Sequence, residues 1–395
     1  MQDHESLSST SFIALISEVR RVGREIIEPN ASDVDEKSRF PSESIDALRK
    51  LKLLSAYVPE KQGGMGLGIV QVAKICEVLG RYCGSTAMIY AMHKIQVACL
   101  VQHGGQSSYI SSYLDKLVSE QRLIASATTE IGIGGDLRSS ICAVERDGSS
   151  FNLIKKAPVI SYGVDADDLM ITARRDSDAA KSDQVHVLLH KDQYSLEPIS
   201  DWDALGFRGT CSAGFIVTAQ GEDEQMLPAP FADILSQSMH PFAHITWSAL
   251  WLGIAADAVN MARKFVKNEA KRNLEMPPIS AIRLGEVESV LQTMRSNTAV
   301  AAADYQNMLA QNDAEAFTNF GFGIRINNLK VTSSQLIVDI VGKSMLICGI
   351  SSYRNDSKFS LCRHLRDAYG AALMVNNDRI LLHNSTLLLM HKGDG

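Results

Sequence analysis

The chain has 395 residues, of which 45% are hydrophobic and 21% charged, and its formal net charge is −6. This length allows two or three domains with well-filled cores, and the composition is ordinary for a globular protein. The lack of any lysine or arginine run excludes a nucleic-acid-binding surface, and the most apolar window, Ile245 to Ala256, is too short and too polar to span a bilayer.

The amino terminus, MQDHESLSST, is polar and acidic and lacks the basic and apolar segments of a secretory signal. Seven cysteines are scattered along the chain, and no two are spaced as C-x-x-C. Such a set is typical of reduced thiols rather than of a disulfide framework or a zinc site. We therefore predict a cytoplasmic protein with no metal site, no nucleic-acid partner and no membrane anchor.

Residues 1–122 are predicted to form a helical N-terminal domain. The apolar residues Phe12, Ile16 and Val19 recur at spacings of three and four, which is helical periodicity. The segment PEKQGGMGL, from Pro59 to Leu67, is a glycine-rich break, after which Val70 to Leu100 resumes the helical pattern.

Residues 123–233 are predicted to form a central β domain, either a barrel or a sandwich. Short apolar or alternating runs are separated there by Gly, Asp, Ser and Pro clusters, which is the texture of strands and turns. The predicted strands are Leu123 to Ala127, Leu169 to Ala173, Val185 to Leu189 and Phe215 to Thr218.

Residues 234–395 are predicted to form a C-terminal four-helix bundle, which makes the whole chain a multidomain α+β protein. Four long amphipathic runs with breaks between them support this prediction. One run begins at Ile245, a second includes Leu284 to Met294, a third covers Ile324 to Leu346, and a fourth covers Leu361 to Leu389.

Most familiar catalytic motifs do not occur in the chain. There is no Walker loop, no G-x-G-x-x-G, no H-E-x-x-H and no G-x-S-x-G. His186 and His190 lie in a strand-like run, where a spacing of four does not bring side chains together, and His240 and His244 lack a third metal ligand. The sequence therefore predicts no metal centre, and its polar, glycine-rich loops are the remaining candidates for a site.

Five segments together resemble the acyl-CoA dehydrogenase flavoprotein superfamily over nearly the whole chain. They are PEKQGGMGL, TTEIGIGGD at 128–136, VISYGVDADDLMITAR at 159–174, LGFRGTCSAGF at 205–215, and the late RDA at 366–368. The resemblance implies a helical, β and helical architecture, usually assembled as a homotetramer or homodimer. It also implies FAD, or FMN, as cofactor, and an electron-transfer flavoprotein or a flavin reductase as redox partner.

The resemblance assigns cofactor-binding roles to individual residues. Thr129 and Ser161 fall at the isoalloxazine ring, where a hydroxyl at the Ser161 position reaches toward flavin N5 and stabilises the negative charge of the reduced ring. Gly135 stands where the family often has a serine. Lys271 or Arg272 falls where an arginine meets the flavin pyrophosphate of a neighbouring subunit, and Gly349 is what survives of the segment that holds the adenosine half of FAD.

The family's catalytic glutamate is missing. In many members it follows the R-D-A by seven residues and removes the α-proton of an acyl thioester, but here that position is Val375. Because Val375 continues an apolar helical stripe, we expect its side chain to point inward. In other members the glutamate lies on the first helix of the bundle, where this chain has Ala243, so neither position supplies a base.

Three hypotheses for the function therefore stay open. The first is a flavin-dependent oxidoreductase of the acyl-CoA dehydrogenase type, which acts on the CH–CH group of an acyl-CoA or similar thioester with its base elsewhere. The second is a two-component flavin-dependent monooxygenase on the same fold, for which His93 and His364 are candidate catalytic residues. The third is a catalytically silent flavoprotein.

Overall fold

The computed structural model describes residues 9–271, 278–311 and 315–390. Its first part is helical and ends at Glu120, three residues before the first strand. A π-helical turn at Gly23–Ile27 joins the first two helices, and short 3-10 turns flank the glycine-rich segment 63–68. The helices are α1 (Ser9–Val22), α2 (Glu28–Glu36), α3 (Ser42–Lys50), α4 (Ile69–Gly80), α5 (Gly84–His103) and α6 (Ser108–Glu120).

The middle part contains two small sheets. The first has the order β1-β4-β5, with β1 parallel to β4 and β4 antiparallel to β5, and the second is antiparallel with the order β2-β3-β7-β6. All four of these predicted strands are present, and β2, β3 and β6 complete the two sheets. The strands are β1 (Ile124–Ala127), β2 (Glu145–Asp147), β3 (Ser150–Ala157), β4 (Asp168–Arg174), β5 (Gln184–His190), β6 (Tyr194–Ser200) and β7 (Gly214–Glu222).

The last part is helical again, and α8 and α10 are its central, mutually packed pair. The helix α10 also packs against α9, α12 and α13. The α+β fold class is therefore confirmed, and the described helices are α7 (Phe231–Ile234), α8 (His240–Ala270), α9 (Ile279–Gln311), α10 (Phe320–Cys348), α11 (Ile350–Tyr353), α12 (Cys362–Leu373) and α13 (Asn377–Met390).

Two stretches, Phe231–Ala270 and Phe320–Cys348, pass a test for membrane-spanning helices by length and composition, with hydropathies of 1.2 and 1.3. The window that is too short when taken alone is part of the first stretch, so length does not exclude a span. Within the fold, 94% and 50% of these windows are buried. Packing inside the helical part therefore accounts for their apolar composition.

The predicted single helix from Leu361 to Leu389 is wrong, because the chain breaks between α12 and α13. Val375 lies in this break with φ 45°, a left-handed conformation that is rare for a β-branched residue. Its side chain is 38% exposed, so the inward orientation expected from the helical stripe is also wrong. The break matters because it contains the position of the missing glutamate.

Candidate functional site

Three loops of the β part are tied together at one place. Backbone hydrogen bonds run from Ile131 N to the Lys156 carbonyl, from Ile160 N to the Ala213 carbonyl, and from Tyr162 N to the Thr210 carbonyl. The structure therefore brings together three of the five segments that carry the resemblance: the TTEIGIGGD loop, the start of the VISYG segment and the LGFRGTCSAGF turn.

At this meeting point lies a group of four hydroxyls that we call the hydroxyl joint: Thr129, Ser161, Thr210 and Ser212. Thr129 Oγ1 donates to the Val159 carbonyl at 3.0 Å, two residues before Ser161. Ser161 Oγ lies 2.8 Å from Ser212 Oγ, which lies 2.7 Å from Thr210 Oγ1. Thr129 and Ser161, predicted independently from two motifs, are thus neighbours on tied loops.

The chain of three hydroxyls in the joint can run in two directions. With the Thr210 hydroxyl donating to the Phe207 carbonyl at 2.8 Å, Ser212 donates to Thr210 and Ser161 donates to Ser212. The Phe207 carbonyl already accepts from the Thr210 N–H, so the Thr210 hydroxyl can turn to Ser212 instead. In that second arrangement Ser212 donates to Ser161, and the Ser161 proton is free for an outside acceptor.

Glu130 closes the loop that follows the joint. Its carboxylate is buried and accepts hydrogen bonds from the Ser140 hydroxyl at 2.8 Å, from Ile141 N at 3.0 Å and from Cys142 N at 2.6 Å. The buried Lys155 ammonium lies 3.9 Å away. The acid of the TTE motif is therefore fully used in holding residues 131–139 as a closed loop, and it is not a free base.

The R-D-A segment on α12 fastens the helical part to the joint. Asp367 Oδ1 accepts a hydrogen bond from Phe207 N at 2.6 Å, and burial raises the pKa of this carboxyl to about 6. Arg366 donates to the Leu205 carbonyl at 3.1 Å and pairs with Asp35 of the N-terminal part. The motif therefore links all three parts of the chain and has an architectural role.

A second surface, which we call the arginine face, lies between the glycine loop and α13: Gly132, Gly134, Gly135, Arg138, Arg379 and His383. Arg379 Nη1 donates to the Gly135 carbonyl at 2.8 Å, and Arg138 Nη2 lies 2.8 Å from His383 Nε2. Burial and the neighbouring Arg138 lower the pKa of His383, so the ring accepts this bond in its neutral form. Neither arginine forms an ion pair with any carboxylate in the described part of the chain.

The turn that contains Val375 is held by a lysine. Lys330 Nζ on α10 donates to the Val375 carbonyl and to Asn377 Oδ1, each at 2.8 Å. The Lys330 side chain is buried, and burial lowers its pKa to about 7. In the described residues, the polar side chains that reach this turn from outside α13 are Lys330 and Ser334, so a cation and a hydroxyl stand where the family has its acid.

The two candidate histidines are held elsewhere. His93 is fully buried, its Nδ1 accepts from Ile124 N at 3.1 Å, and its Nε2 contacts the Leu54 carbonyl at 2.7 Å. Both ring nitrogens are thus occupied by backbone groups, and burial lowers the pKa of His93 strongly. His364 Nε2 pairs with Asp257 Oδ2 at 3.0 Å, so this ring is directed at α8 rather than at the joint.

The other predicted positions lie away from the joint or outside the described residues. Arg272 lies outside them, whereas Lys271 ends α8. Gly349 ends α10 in a left-handed conformation with φ 59°, about 28 Å along that helix from Lys330 at 1.5 Å per residue. Ala243 is a buried residue of α8. Of the predicted cofactor-binding residues, the structure therefore brings Thr129 and Ser161 onto loops that are tied together.

Two cavities of about 270 and 240 Å³ lie elsewhere on the surface. The larger is lined by residues of β3, β6, β7 and the turn before β6, and the smaller by residues of α1 and α4. Neither includes a residue of the hydroxyl joint or of the arginine face.

Sequence reasoning missed Ser212, Thr210, Arg379 and Lys330. Arg379 carried no signal in the sequence, because the predicted helix from Leu361 to Leu389 places it in mid-helix, and its position in a first turn appears only with the break at Val375. The other three could not be found from the sequence either, because a hydroxyl or an ammonium carries no mark of its partner.

Comparisons with known proteins agree with this geometry. Residues 11–121 match the family model of the acyl-CoA dehydrogenase N-terminal domain. The chain is 28% identical over 248 residues to the cyclohex-1-ene-1-carbonyl-CoA dehydrogenase of Geobacter metallireducens, which covers 62% of this chain and 63% of that protein. It is 22% identical over 356 residues to the probable acyl-CoA dehydrogenase FadE25 of Mycobacterium tuberculosis, covering 89% of this chain and 88% of that protein.

Solved structures share the whole fold. FMN-bound TdsC from Paenibacillus sp. A11-2 superimposes with a TM-score of 0.83 at 18% identity, covering 97% of this chain and 98% of that one. Butyryl-CoA dehydrogenase from Megasphaera elsdenii gives 0.83 at 19% identity, covering 97% and 99%. The chain therefore shares its fold with both a dehydrogenase and a monooxygenase. The predicted resemblance to the acyl-CoA dehydrogenase superfamily is confirmed by the family model together with the curated relatives.

Proposed function

We propose that this chain, which has the acyl-CoA dehydrogenase fold, is a flavin-dependent monooxygenase that receives its reduced flavin from a separate reductase. The observation that carries the proposal is the contrast between two positions. The hydroxyl joint keeps the Thr129 and Ser161 groups of a flavin site, whereas the turn at Val375 offers a valine side chain and the Lys330 ammonium in place of a carboxylate. A site with the ring contacts but without the base fits oxygen chemistry better than α-proton removal.

The residues present fit a flavin in two places. At the joint, the Ser161 hydroxyl can direct its proton outward, and Thr129 Oγ1 keeps free lone pairs. At the arginine face, two unpaired guanidinium groups and the backbone N–H groups of the glycine loop suit a phosphate. A bound flavin would supply the two-electron redox chemistry, which no side chain of this protein can supply.

The protein's own residues would orient the ring and manage hydrogen bonds around it. In the second arrangement of the hydroxyl joint, Thr210 donates to Ser212 and Ser212 donates to Ser161. The Ser161 hydroxyl would then be free to donate to the flavin ring nitrogen that gains electrons. The Lys330 ammonium fixes the Val375 turn through its backbone carbonyl and supplies no carboxylate base there. These roles require a donor at Ser161 and no base at position 375.

A second candidate function is dehydrogenation of an acyl thioester at its CH–CH group. It is favoured by the curated relatives, which are acyl-CoA dehydrogenases, and by the glycine loop, which follows their motif. This function needs a group that removes an α-proton, and neither Val375 nor Ala243 can do so. It therefore requires either a base from outside the described site or a substrate with a more acidic proton.

Two experiments on the purified protein separate the candidates. Reduced FMN from a flavin reductase is supplied in aerobic buffer with indole, dibenzothiophene and a panel of acyl-CoAs, and incorporation of labelled oxygen is measured by mass spectrometry. We expect oxygen incorporation into at least one compound and no bleaching of bound flavin by any acyl-CoA without oxygen. Anaerobic bleaching by an acyl-CoA would instead establish the dehydrogenase, and the lack of both responses would leave a silent flavoprotein.

We also propose that the chain works as a cytoplasmic homo-oligomer. Many large apolar side chains are exposed along the last helices, which is unusual for a monomer's surface. They include Leu346, Ile350, Tyr353, Leu373, Leu382 and Leu389. Analytical ultracentrifugation at micromolar concentration should give a dimer or a tetramer, and a monomer at all concentrations would contradict the proposal.

A further inference from the structure

The arginine face contains three features that suit an anion. Arg379 occupies the first turn of α13, which begins at Asn377, so its positive charge lies at the positive end of the helix dipole. Arg138 contacts His383 rather than a carboxylate. In the described part of the chain, the N–H groups of Gly132, Gly134 and Gly135 take no hydrogen-bond partner.

A single anion would contact all three groups at once. It would pair with the guanidinium groups of Arg138 and Arg379, favour the start of α13 and accept from the glycine N–H groups. The three glycines have φ values of 99°, 60° and 78°, a backbone conformation that favours glycine and occurs in anion-binding loops. The chemistry of these donors, planar guanidinium forks and backbone amides, is that of phosphate recognition.

Arg379 also explains why position 135 is a glycine. A Cβ added at Gly135 would overlap Arg379 Nη1 and lie 2.9 Å from its Cζ. The guanidinium thus takes the space in which a serine side chain would stand, where the family often has one. In this chain, the Arg379 guanidinium from α13 therefore occupies the position that a serine hydroxyl has in the family.

We propose that the arginine face binds the terminal phosphate of FMN, in preference to the diphosphate of FAD. This inference rests on the proposed flavin-binding function and extends it to the choice of cofactor. A phosphate monoester carries nearly two negative charges at neutral pH, which matches two unpaired arginines, whereas each phosphate of a diphosphate diester carries one. The Gly349 segment, which the resemblance assigns to the adenosine half, keeps only its glycine.

The test is a comparison of three flavins that differ only beyond the ribityl chain. Dissociation constants for riboflavin, FMN and FAD are measured by quenching of flavin fluorescence with the full-length protein. We expect FMN to bind at least about 100-fold more tightly than riboflavin, because two charge-assisted contacts are involved, and about 10-fold more tightly than FAD.

Matched variants test whether the tighter binding of FMN depends on the arginine face. Arg379→Gln and Arg138→Gln should each weaken FMN binding about 10-fold and leave riboflavin binding unchanged, since each removes one charged contact. The control is Arg295→Gln on α9, a half-buried arginine that bonds Gln292 within the described residues and should not alter any constant. Circular dichroism melting of each variant checks that the fold is retained.

Each possible binding result tests a different part of the proposal. Equal binding of FMN and riboflavin would overturn the phosphate site and leave the flavin site at the joint intact. Equal binding of FMN and FAD would overturn the preference for the monoester. An equal loss of riboflavin and FMN affinity in Arg379→Gln would mean that this residue acts on the ring site or the fold, and failure of all three flavins to bind would overturn the proposed function itself.

Discussion

The hydroxyl joint and the arginine face each include residues of the loop that begins at Thr129, but they differ in how their polar groups are satisfied. In the joint, every hydroxyl has a partner inside the chain, and Asp367 and Glu130 accept backbone N–H groups. In the face, two arginines lie without a carboxylate, and one is next to a histidine. The joint contributes to stability, whereas the face does not.

This difference distinguishes motif residues that hold the fold together from residues that are free to bind a ligand. The residues that make the chain recognisable, such as Glu130 and the R-D-A, are mostly those that hold loops together. The groups left unpaired, which cost stability, are those free to meet a ligand. If this division is right, substitutions in the joint should change the free energy of unfolding, and substitutions in the face should change ligand binding.

The largest expected effect is on the pH dependence of stability and comes from Asp367. Burial raises the pKa of its carboxyl to about 6 from an ordinary value of 3.8, so between these pH values the folded protein holds a proton that the unfolded chain has released. The free energy of unfolding therefore falls as the pH rises from about 4 to 6, by up to about 3 kcal/mol. Asp367→Asn, whose amide oxygen can still accept from Phe207 N, should lack this fall.

The measurement is urea denaturation of the wild type and of Asp367→Asn at pH 4 and pH 7. The stability of the variant relative to the wild type should be greater at pH 7 than at pH 4. Ser212→Ala is the control, because it alters the same turn without a titrating group and should keep the wild-type pH profile. Parallel profiles for Asp367→Asn and the wild type would contradict the account of this carboxyl.

The next prediction tests whether the contact between Gly135 and Arg379 matters for ligand binding. Gly135→Ser introduces a side chain at φ 78° and forces Arg379 to move, whereas Gly134→Ser introduces one at φ 60° with no atom within 4 Å. Both should lower the free energy of unfolding by about 1–2 kcal/mol through backbone strain. Only Gly135→Ser should also weaken FMN binding, and an equal effect of the two variants on binding would remove Arg379 from the site.

A smaller effect distinguishes the role of the Ser161 hydroxyl from that of its hydrogen-bond partner Ser212. Ser161→Ala and Ser212→Ala each break the hydrogen bond between them and should each cost about 1 kcal/mol in chemical denaturation. Ser161→Ala should shift the reduction potential of bound flavin, since it removes the donor to the ring, whereas Ser212→Ala leaves the Ser161 proton free. Identical potentials in the wild type and Ser161→Ala would exclude this hydroxyl from the ring site.

The sequence was sufficient to predict the order of helical and β parts and the closeness of Thr129 to Ser161. It was not sufficient where a single residue contradicts its local pattern. Strand β3 contains one such residue, because Lys155 is charged but the alternation of SFNLIKKA buries it, and it donates to the Thr172 carbonyl. Burial of the ammonium lowers the pKa of Lys155 to about 8.

The break at Val375 escaped prediction for a related reason. The apolar stripe through Ala368 and Ala372 continues to Val375 at helical spacing, so periodicity favours one unbroken helix. The left-handed turn is instead held from another element, by Lys330 on α10, some 45 residues earlier in the chain. Tertiary contacts of this kind leave no trace in local periodicity, and they are the reason why the site was predicted less well than the fold.

The smallest expected effect on stability gives the clearest test of the difference between the hydroxyl joint and the arginine face. Arg379→Gln removes a positive charge from the first turn of α13 and keeps a polar side chain that can reach the Gly135 carbonyl. Relief of the unfavourable dipole interaction is worth a few tenths of a kcal/mol, so the melting temperature without ligand should stay the same or rise slightly, most visibly at low salt. With saturating FMN the order should reverse, because the wild type gains more from binding than the variant does. A variant that is less stable than the wild type in the absence of ligand would mean that Arg379 is a structural residue like those of the joint, and the division between the two regions would fail.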